Sequence, residues 1–287
     1  MCGIAGIYNF DGAPASPVTV KAMTEAIAHR GPDGEGQFTD GPVALGHRRL
    51  SIIDLSDAAH QPMPSADGRL VITYNGEVYN FQELRIDLEA KGHSFRSRGD
   101  SEVLVTALRE WGDAAVSKFN GMFAFAAWDR AKRRLVIARD RFGVKPVYYW
   151  SDGKTLLFAS EIKAFLKFPG FKAKVNRRNL VEYMTFQNFI SDQTLFEGVR
   201  ILPAGSMLVI EQGMRDVPEP IKYWDFRFVE DSSLTDRAEV EHEVDCLFQQ
   251  AVSRQLISDV PVGSYLSGGM DSGSITAIAA RQRPMIH

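Results

Sequence analysis

The feature that most constrains this chain is its start, where Met1-Cys2-Gly3 runs directly into the apolar stretch Ile4-Ala5-Gly6-Ile7-Tyr8. Such a stretch reads as a buried strand, and a terminus tied into a sheet is held rather than frayed. Cys2 is small enough to permit removal of the initiator methionine. The chain would then open on a residue that carries a thiol and a free α-amine together. An amine with a pKa of about 7.7–8.0 is a suitable base for a thiol at neutral pH, so a nucleophile of this kind needs no separate histidine. A chance cysteine at a loose end is the alternative, and the strand that follows at once argues against it.

The totals narrow the remaining classes. A length of 287 residues allows one large domain or two ordinary ones, and 45% hydrophobic with 24% charged residues is an ordinary globular composition. A net charge of -3, without a long Lys/Arg block, argues against a nucleic-acid surface. Two cysteines do not make a disulfide framework, so a reducing cytosol is the expected compartment. No secretory signal is legible in the opening residues. No apolar run approaches the roughly 18–20 residues that span a membrane. The six histidines show no H-x-x-x-H pair and there is no C-x-x-C, so no zinc site is expected.

Along the chain, Pro17 to Arg30 has helical spacing, with Ser16 as N-cap, and stops at the turn-forming His29-Arg30-Gly31-Pro32-Asp33-Gly34. Strands are expected over Val43 to Leu50, Ser51 to Ile53 and Leu70 to Tyr74, the last broken by a tight turn at Asn75-Gly76. Phe81 to Lys91 and Ser101 to Trp111 read as helices, the second capped by Asp100. Met122 to Trp128, Arg134 to Arg139, Val147 to Trp150 and Leu156 to Ala159 form a strand meander. Short helices are expected over Glu161 to Phe168 and Leu180 to Phe186, with a strand over Gly205 to Ile210. This order suggests antiparallel sheets with helices on their outer faces. Pro218, Pro220 and a run of charges mark a linker over 212–236 between a domain at 1–211 and a segment at 237–287. The segment opens on an amphipathic helix, Glu239 to Leu256, whose apolar side carries Cys246, read as a packing residue. A short buried strand, Val262 to Leu266, and a helix from Ser274 to Gln282 follow.

Two stretches carry chemistry. Attack of a thiolate on an amide creates an oxyanion, which a side-chain amide and a neighbouring glycine N–H at a strand end can receive; Asn75 and Gly76 fit that need. An amino-acid substrate also needs a cation for its carboxylate, met by Arg49, and anions for its ammonium, met by Glu77 and Asp100. Taken singly, each of these residues reads as well as a plain turn, a surface charge or a helix cap. The second stretch is Ser264 to Gly273, in which Ser267-Gly268-Gly269 and Ser272 surround a strand-to-helix turn that suits a bound anion. It is not the common G-x-x-x-x-G-K-[ST] loop. Asp271 is a hard oxygen ligand suited to magnesium on phosphates.

Taken together, these motifs resemble a known family. C-G-I-A-G-I with H-R-G-P-D (His29 to Asp33), H-R-R-L-S-I-I-D (His47 to Asp54) and Y-N-G-E-V-Y-N (Tyr74 to Asn80) is similar to the glutaminase domain of class II amidotransferases. G-D-S-E (Gly99 to Glu102), N-G-M-F-A-F (Asn120 to Phe125), R-D-R-F-G-V-K-P (Arg139 to Pro146), F-A-S-E-I-K-A (Phe158 to Ala164) and L-P-A-G (Leu202 to Gly205) extend the likeness. The R-L-S-I-I-D form points to the glutamine-hydrolysing asparagine synthetase branch. S-G-G-M-D-S resembles the pyrophosphate loop of the ATP-pyrophosphatase synthetase domain.

The resemblance implies an α+β fold, a four-layer αββα N-terminal-nucleophile hydrolase sandwich of two antiparallel sheets, followed by the first elements of an α/β ATP-pyrophosphatase domain. It implies that Cys2 attacks the glutamine side-chain amide and that a γ-glutamyl thioester forms as ammonia leaves. Asn75 and Gly76 match the oxyanion hole, and Arg49 the carboxylate-binding residue. Glu77 and Asp100 lie near the α-amino group, while Leu50, Ser51, Ile52 and Ile53 line the pocket. Leu266, Ser267, Gly268, Gly269, Asp271 and Ser272 would bind ATP and pyrophosphate with magnesium, and aspartate would be the acceptor. No cofactor is implied for glutamine hydrolysis, and family members often dimerise.

Two departures stand out. Met270 and Gly273 replace the family's usual Leu and Ser. A complete synthetase domain would need roughly a further 250–300 residues, so the expectation is a truncated product or one part of a split system that retains glutamine hydrolysis alone. The alternatives are an amidotransferase acting on a carboxylate other than aspartate, and a glutamine-binding regulatory relative.

Overall fold

The computed structural model describes residues 1–230, 236–283 and 286–287. The apolar run after Cys2 forms strand β1 (Gly3–Asn9), buried on both faces. Next come β2 (Gly34–Asp40), β3 (Val43–Arg49), β4 (Met63–Pro64), β5 (Leu70–Val78) and β6 (Gly121–Asp129). The remaining strands are β7 (Arg134–Arg139), β8 (Tyr148–Ser151), β9 (Thr155–Ala159), β10 (Arg200–Ile201), β11 (Ser206–Ile210) and β12 (Ile221–Lys222). The helices are α1 (Pro17–Glu25), α2 (Phe81–Ala90), α3 (Asp100–Trp111), α4 (Ala114–Lys118), α5 (Arg177–Phe186), α6 (Arg237–Gln255) and α7 (Met270–Gln282).

Two six-stranded sheets result, in the orders β10-β8-β9-β1-β3-β2 and β12-β11-β7-β6-β5-β4. Every pairing within them is antiparallel. Alternation along β1 explains the layering: Ile4 and Tyr8 join Leu45, Val71, Trp128, Ile137 and Leu208 in the core between the sheets. Ala5 and Ile7 point the other way, against Val20, Met23 and Ile27, on and just after α1. Each fully buried Val, Leu, Ile or Met side chain among these contributes about 1.5–3 kcal/mol. On the opposite side α3 packs on β5 and α2 on α3, which completes the αββα sandwich.

Contacts divide the chain into two compact units, Met1–Ser51 with Ser56–Asp225, and Ile52–Leu55 with Phe226–His287. Both sheets lie in the first. Of the expected linker at 212–236, residues 231–235 lie outside the described residues. Ile221–Lys222 pairs with β11, and Tyr223 donates its hydroxyl to the Arg139 carbonyl at 2.7 Å, so this part of the stretch packs into the first unit.

Several local expectations need correction. The helix expected over Pro17 to Arg30 ends at Glu25; Ile27 leaves the helical region and a 3-10 turn, Ala28–Arg30, follows. Ser51 to Ile53 forms no strand, because the chain turns away after β3 and reaches Asp54 at φ 52°. Asn75-Gly76 is not a turn: β5 runs through both, with Asn75 opposite Ala124 and Gly76 opposite Phe123. Asp100 is not the cap of α3, a place Gly99 takes, but its first residue. In the second unit Val262 to Leu266 forms no strand. Val262 and Ser264 each bond the backbone of His287, which is too short a partner for a ladder. Cys246 is exposed rather than packed, since the apolar side of α6, with Val244 and Leu247, is uncovered among the described residues.

Candidate active site at the start of β1

The β1–β3 register places Gly3 opposite Arg48, so Cys2 stands where β3 gives way to Leu50. The Leu50 N–H donates to the Cys2 sulfur at 3.3 Å, and the sulfur lies 3.6 Å from the Leu50 carbonyl. Arg30 donates through Nε to the Cys2 carbonyl at 2.9 Å, while its Nη1 is anchored on Glu161 at 3.1 Å. Burial pushes the Cys2 thiol up, and the Leu50 N–H is the largest influence pulling it down. A buried thiol of this kind needs a base before it can act as a nucleophile.

The facing sheet supplies the opposite wall. His47, paired with Ile4, donates through Nε2 to the Tyr74 carbonyl at 3.0 Å, and the Thr73 hydroxyl donates to the Gly46 carbonyl at 3.0 Å. These two bonds stitch β5 to β3 beside the start of β1, and so fix the height of Asn75, Gly76 and Glu77. Burial drives His47 down to about 3, so it stays neutral and is no base at working pH. Asn75 is 1% exposed, and its Nδ2 is buried with no hydrogen-bond partner among the described residues. Leaving such a donor unpaired costs about 1–3 kcal/mol, and it marks a place where an incoming acceptor is accommodated. At Gly76 a Cβ would lie 2.2 Å from the Met122 carbonyl oxygen, so only glycine lets β6 approach.

Acidic groups close the far side. Asp100 Oδ2 accepts from the Tyr74 hydroxyl at 2.6 Å and from the Val78 N–H at 2.9 Å. Burial raises the Asp100 carboxyl, and those bonds oppose the rise. Glu77 is half-buried and pushed up to about 7, by burial first and then by the Asp100 charge, with Lys145 opposing. Arg49 is buried, donates through Nη1 to the Ser56 carbonyl at 3.0 Å, and pulls the Cys2 thiol down while Asp100 pushes it up. Asp33 clips the end of β3 through its N–H to the Arg49 carbonyl and its carboxylate to the Ser51 N–H.

The first unit therefore holds Cys2, Arg49, Leu50, Ser51, Asn75, Gly76, Glu77 and Asp100. Ile52 and Ile53, expected as pocket lining, group with the second unit, where the Asp259 N–H donates to the Ile52 carbonyl at 2.9 Å. Sequence reasoning assigned no role to Arg30, His47, Tyr74 or Lys145. Each lies inside a quoted motif, but alone reads as an ordinary surface or core residue.

Within the second unit, Gly269 caps α7 without a side-chain bond, and Gly268 has φ 81°. The Ser272 hydroxyl donates to the Gly269 carbonyl at 3.1 Å and lies 2.9 Å from Ser267 Oγ. The open first-turn N–H groups of a 13-residue helix suit phosphate oxygens. The helix expected from Ser274 begins already at Met270, so Asp271, exposed and the one carboxylate between Ser264 and Gly273, stands in the first turn of α7. Among the described residues no three His, Cys, Asp or Glu side chains gather to hold a metal, and no helix is long and apolar enough to cross a membrane.

Comparison with known proteins places the chain in a family. Residues 1–224 match the family model described as a glutamine amidotransferase domain, and residues 243–287 match one described as asparagine synthase. The glutamine-hydrolysing asparagine synthetase 3 of Bacillus subtilis is 40% identical over 286 residues, 98% of this chain and 45% of that protein. Asparagine synthetase 1 of the same organism is 36% identical, over 100% of this chain and 45% of its own length. A Gibberella zeae protein named amidase chry2 is 35% identical over 98% of this chain and 43% of its own. The chain thus spans less than half the length of these curated relatives. Among solved structures, glutamine phosphoribosylpyrophosphate amidotransferase from B. subtilis, complexed with ADP and GMP, shares the fold: TM-score 0.58 at 18% identity, over 98% of this chain and 64% of that one. A match over most of its length, on a sandwich that carries a held cysteine at the head of its central strand, makes this chain a member of the glutamine amidotransferase domain family.

Proposed function

We propose that the chain hydrolyses L-glutamine to glutamate and ammonia through Cys2 once Met1 has been removed. The observation that carries the reading is the buried, unpartnered Nδ2 of Asn75 on the strand facing Cys2. The sulfur attacks the side-chain carbonyl carbon of glutamine, and the Cys2 α-amine takes the thiol proton. Asn75 Nδ2 and the Gly76 N–H receive the oxyanion, which is charged only as the bond forms, so their donation favours the transition state over the substrate. Collapse of the oxyanion breaks the C–N bond, and the proton passes from the amine to the leaving nitrogen as ammonia. Water then hydrolyses the γ-glutamyl thioester and restores the thiol. Arg49 grips the substrate α-carboxylate, with Glu77 and Asp100 near its ammonium and Leu50 and Ser51 beside it.

In the longer protein the ammonia serves an ATP-dependent conversion of aspartate to asparagine. Residues 1–211, with the packed stretch to Asp225, are the glutaminase domain, the rest of 212–236 leads onward, and 237–287 are the start of the synthetase domain. Leu266 to Ser272 hold the pyrophosphate of ATP, where Asp271 with the phosphates would complete a magnesium site. Magnesium there would neutralise phosphate charge as pyrophosphate leaves.

The test is a glutamine-like electrophile, diazo-oxonorleucine, followed by peptide mapping. Expected are loss of Met1 and one adduct on Cys2, with the exposed Cys246 unmodified. A chain that keeps Met1 and still releases ammonia at full rate, or one labelled only at Cys246, would sink the reading.

A further inference from the structure

Lys145 is carried by a loop built to place it. Asp140, fully buried, accepts at Oδ1 from the N–H groups of Phe142 (3.1 Å) and Val144 (2.9 Å), and at Oδ2 from those of Phe123 (3.1 Å) and Lys145 (2.9 Å). Arg139 donates through Nε to the Lys145 carbonyl at 3.0 Å, through Nη1 to the Leu202 carbonyl at 2.7 Å, and through Nη2 to the Gly143 carbonyl. One buried carboxylate and one guanidinium fork thus fix the backbone on both sides of residue 145. Lys145 is only 5% exposed, yet among the described residues its ammonium makes no ion pair within 4 Å. Its hydrogen-bond partner is the Met1 sulfur at 3.2 Å, a weak acceptor. A buried ammonium without a touching carboxylate is costly, and such charges concentrate where chemistry uses them.

We propose that Lys145 is a positioning residue for the nucleophile: its ammonium stands against the first residue of the chain, and after loss of Met1 it keeps the Cys2 α-amine free to take the thiol proton. The idea rests on the glutaminase reading and adds a residue to it. The physics is like-charge repulsion, which disfavours protonation of a second amine nearby. With Met1 in place the terminal amine is already lowered, by burial first and also by Arg30 and Lys145, against the opposing influence of Cys2 and Asp33. The charged groups around this end are Cys2 itself, Arg30 from the 3-10 turn and Asp33 from the turn before β2. Arg49 ends β3, Glu77 lies on β5, Asp100 opens α3, and Asp140 and Lys145 follow β7. Burial pushes Lys145 itself below the ordinary lysine value, and Glu77 is the carboxylate that most opposes this; at about 7 Glu77 is only part-ionised at neutral pH, so it does not cancel the ammonium.

The test compares Lys145→Met, similar in length but neutral, with Lys145→Arg in the full chain with Met1 removed. One arm follows glutamine hydrolysis against pH. The other follows acetylation of the α-amine by acetic anhydride in a Cys2→Ala background, mapped on the N-terminal peptide. For Lys145→Met both acid limbs are expected to move to higher pH, with rates near pH ~6.5 reduced about three- to tenfold and rates near pH ~9 within about twofold of the parent. Lys145→Arg is expected to overlie the parent. A Lys145→Met profile that superposes on the parent, or that falls by one factor at every pH, overturns the proposal. If Lys145→Met does not fold, Lys145→Gln carries the same expectations. If the wild type hydrolyses no glutamine, the glutaminase reading fails on its own, and the acetylation arm still decides the role of Lys145.

Discussion

The chain carries two glycine-bearing dipeptides, Asn75-Gly76 and Gly268-Gly269, and the fold treats them oppositely. A Cβ at Gly76 would meet the Met122 carbonyl at 2.2 Å, whereas one at Gly268 would meet nothing within 4 Å. The first pair sits inside a strand between neighbours on a packed sheet, and its glycine is required by another strand's approach. The second sits in an exposed loop, and its glycine is required by its own φ of 81°. Shape in the first unit is therefore imposed by a neighbouring strand distant in sequence, while shape in the second is local. Chemistry at Cys2 should respond to changes far along the chain, and the Ser267–Gly269 turn into α7 to its own residues alone.

The largest effect should come from the side chain that packing holds unpaired. Asn75→Ala removes an oxyanion donor without unsettling a bonded partner, so steady-state glutamine hydrolysis should lose about 10²–10³ in kcat with little change in KM. An unchanged kcat would leave Asn75 as a structural residue and dissolve the contrast between the two glycine pairs at its functional end.

How much of this was legible depended on whether the physical cause was local. The apolar runs of β1, β3 and β6 announced buried strands, and Ser16 capped α1 as expected, accepting from the Thr19 N–H. β2 went unseen because Gly34-Glu-Gly-Gln-Phe-Thr-Asp is polar and half-exposed, a strand only by virtue of its pairing with β3. Asn75-Gly76 read as a turn because that dipeptide favours one in isolation, and pairing with β6 overrode it. Asp100 read as a helix cap, but its carboxylate reaches β5 at Val78 and Tyr74. Arg30 and Lys145 are charged residues whose burial no local pattern betrays. In the second unit Cys246 and the apolar side of α6 looked like core, and periodicity cannot say whether a covering layer is present.

A middling effect is expected at Glu77, where burial across the sandwich sets the chemistry. Its carboxyl is raised to about 7, so the ionised fraction grows about tenfold between pH 6 and 8. If Glu77 meets the substrate ammonium, KM for glutamine should fall severalfold over that range, and Glu77→Gln should flatten the dependence and hold KM high. The sign for folding is the reverse. The folded chain binds this proton more tightly than the unfolded one, so Glu77 lowers stability as pH rises from the ordinary glutamate range through about 7, and Glu77→Gln should remove that decline in thermal melts. A pH-independent KM in the wild type would detach Glu77 from the substrate.

The smallest effect tests the local half of the contrast. Gly268→Ala places a Cβ in open space, so its cost is the left-handed backbone alone, about 1 kcal/mol. It should appear as faster hydrogen exchange along α7 beyond its first turn, with glutamine hydrolysis unaltered. Gly76→Ala drives a Cβ into backbone that cannot yield without parting β5 from β6, so it should destabilise the first unit by about 3 kcal/mol and carry hydrolysis down with it. Loss of hydrolysis on Gly268→Ala, or its survival at full stability in Gly76→Ala, would show that the two pairs are not governed by different ranges of force.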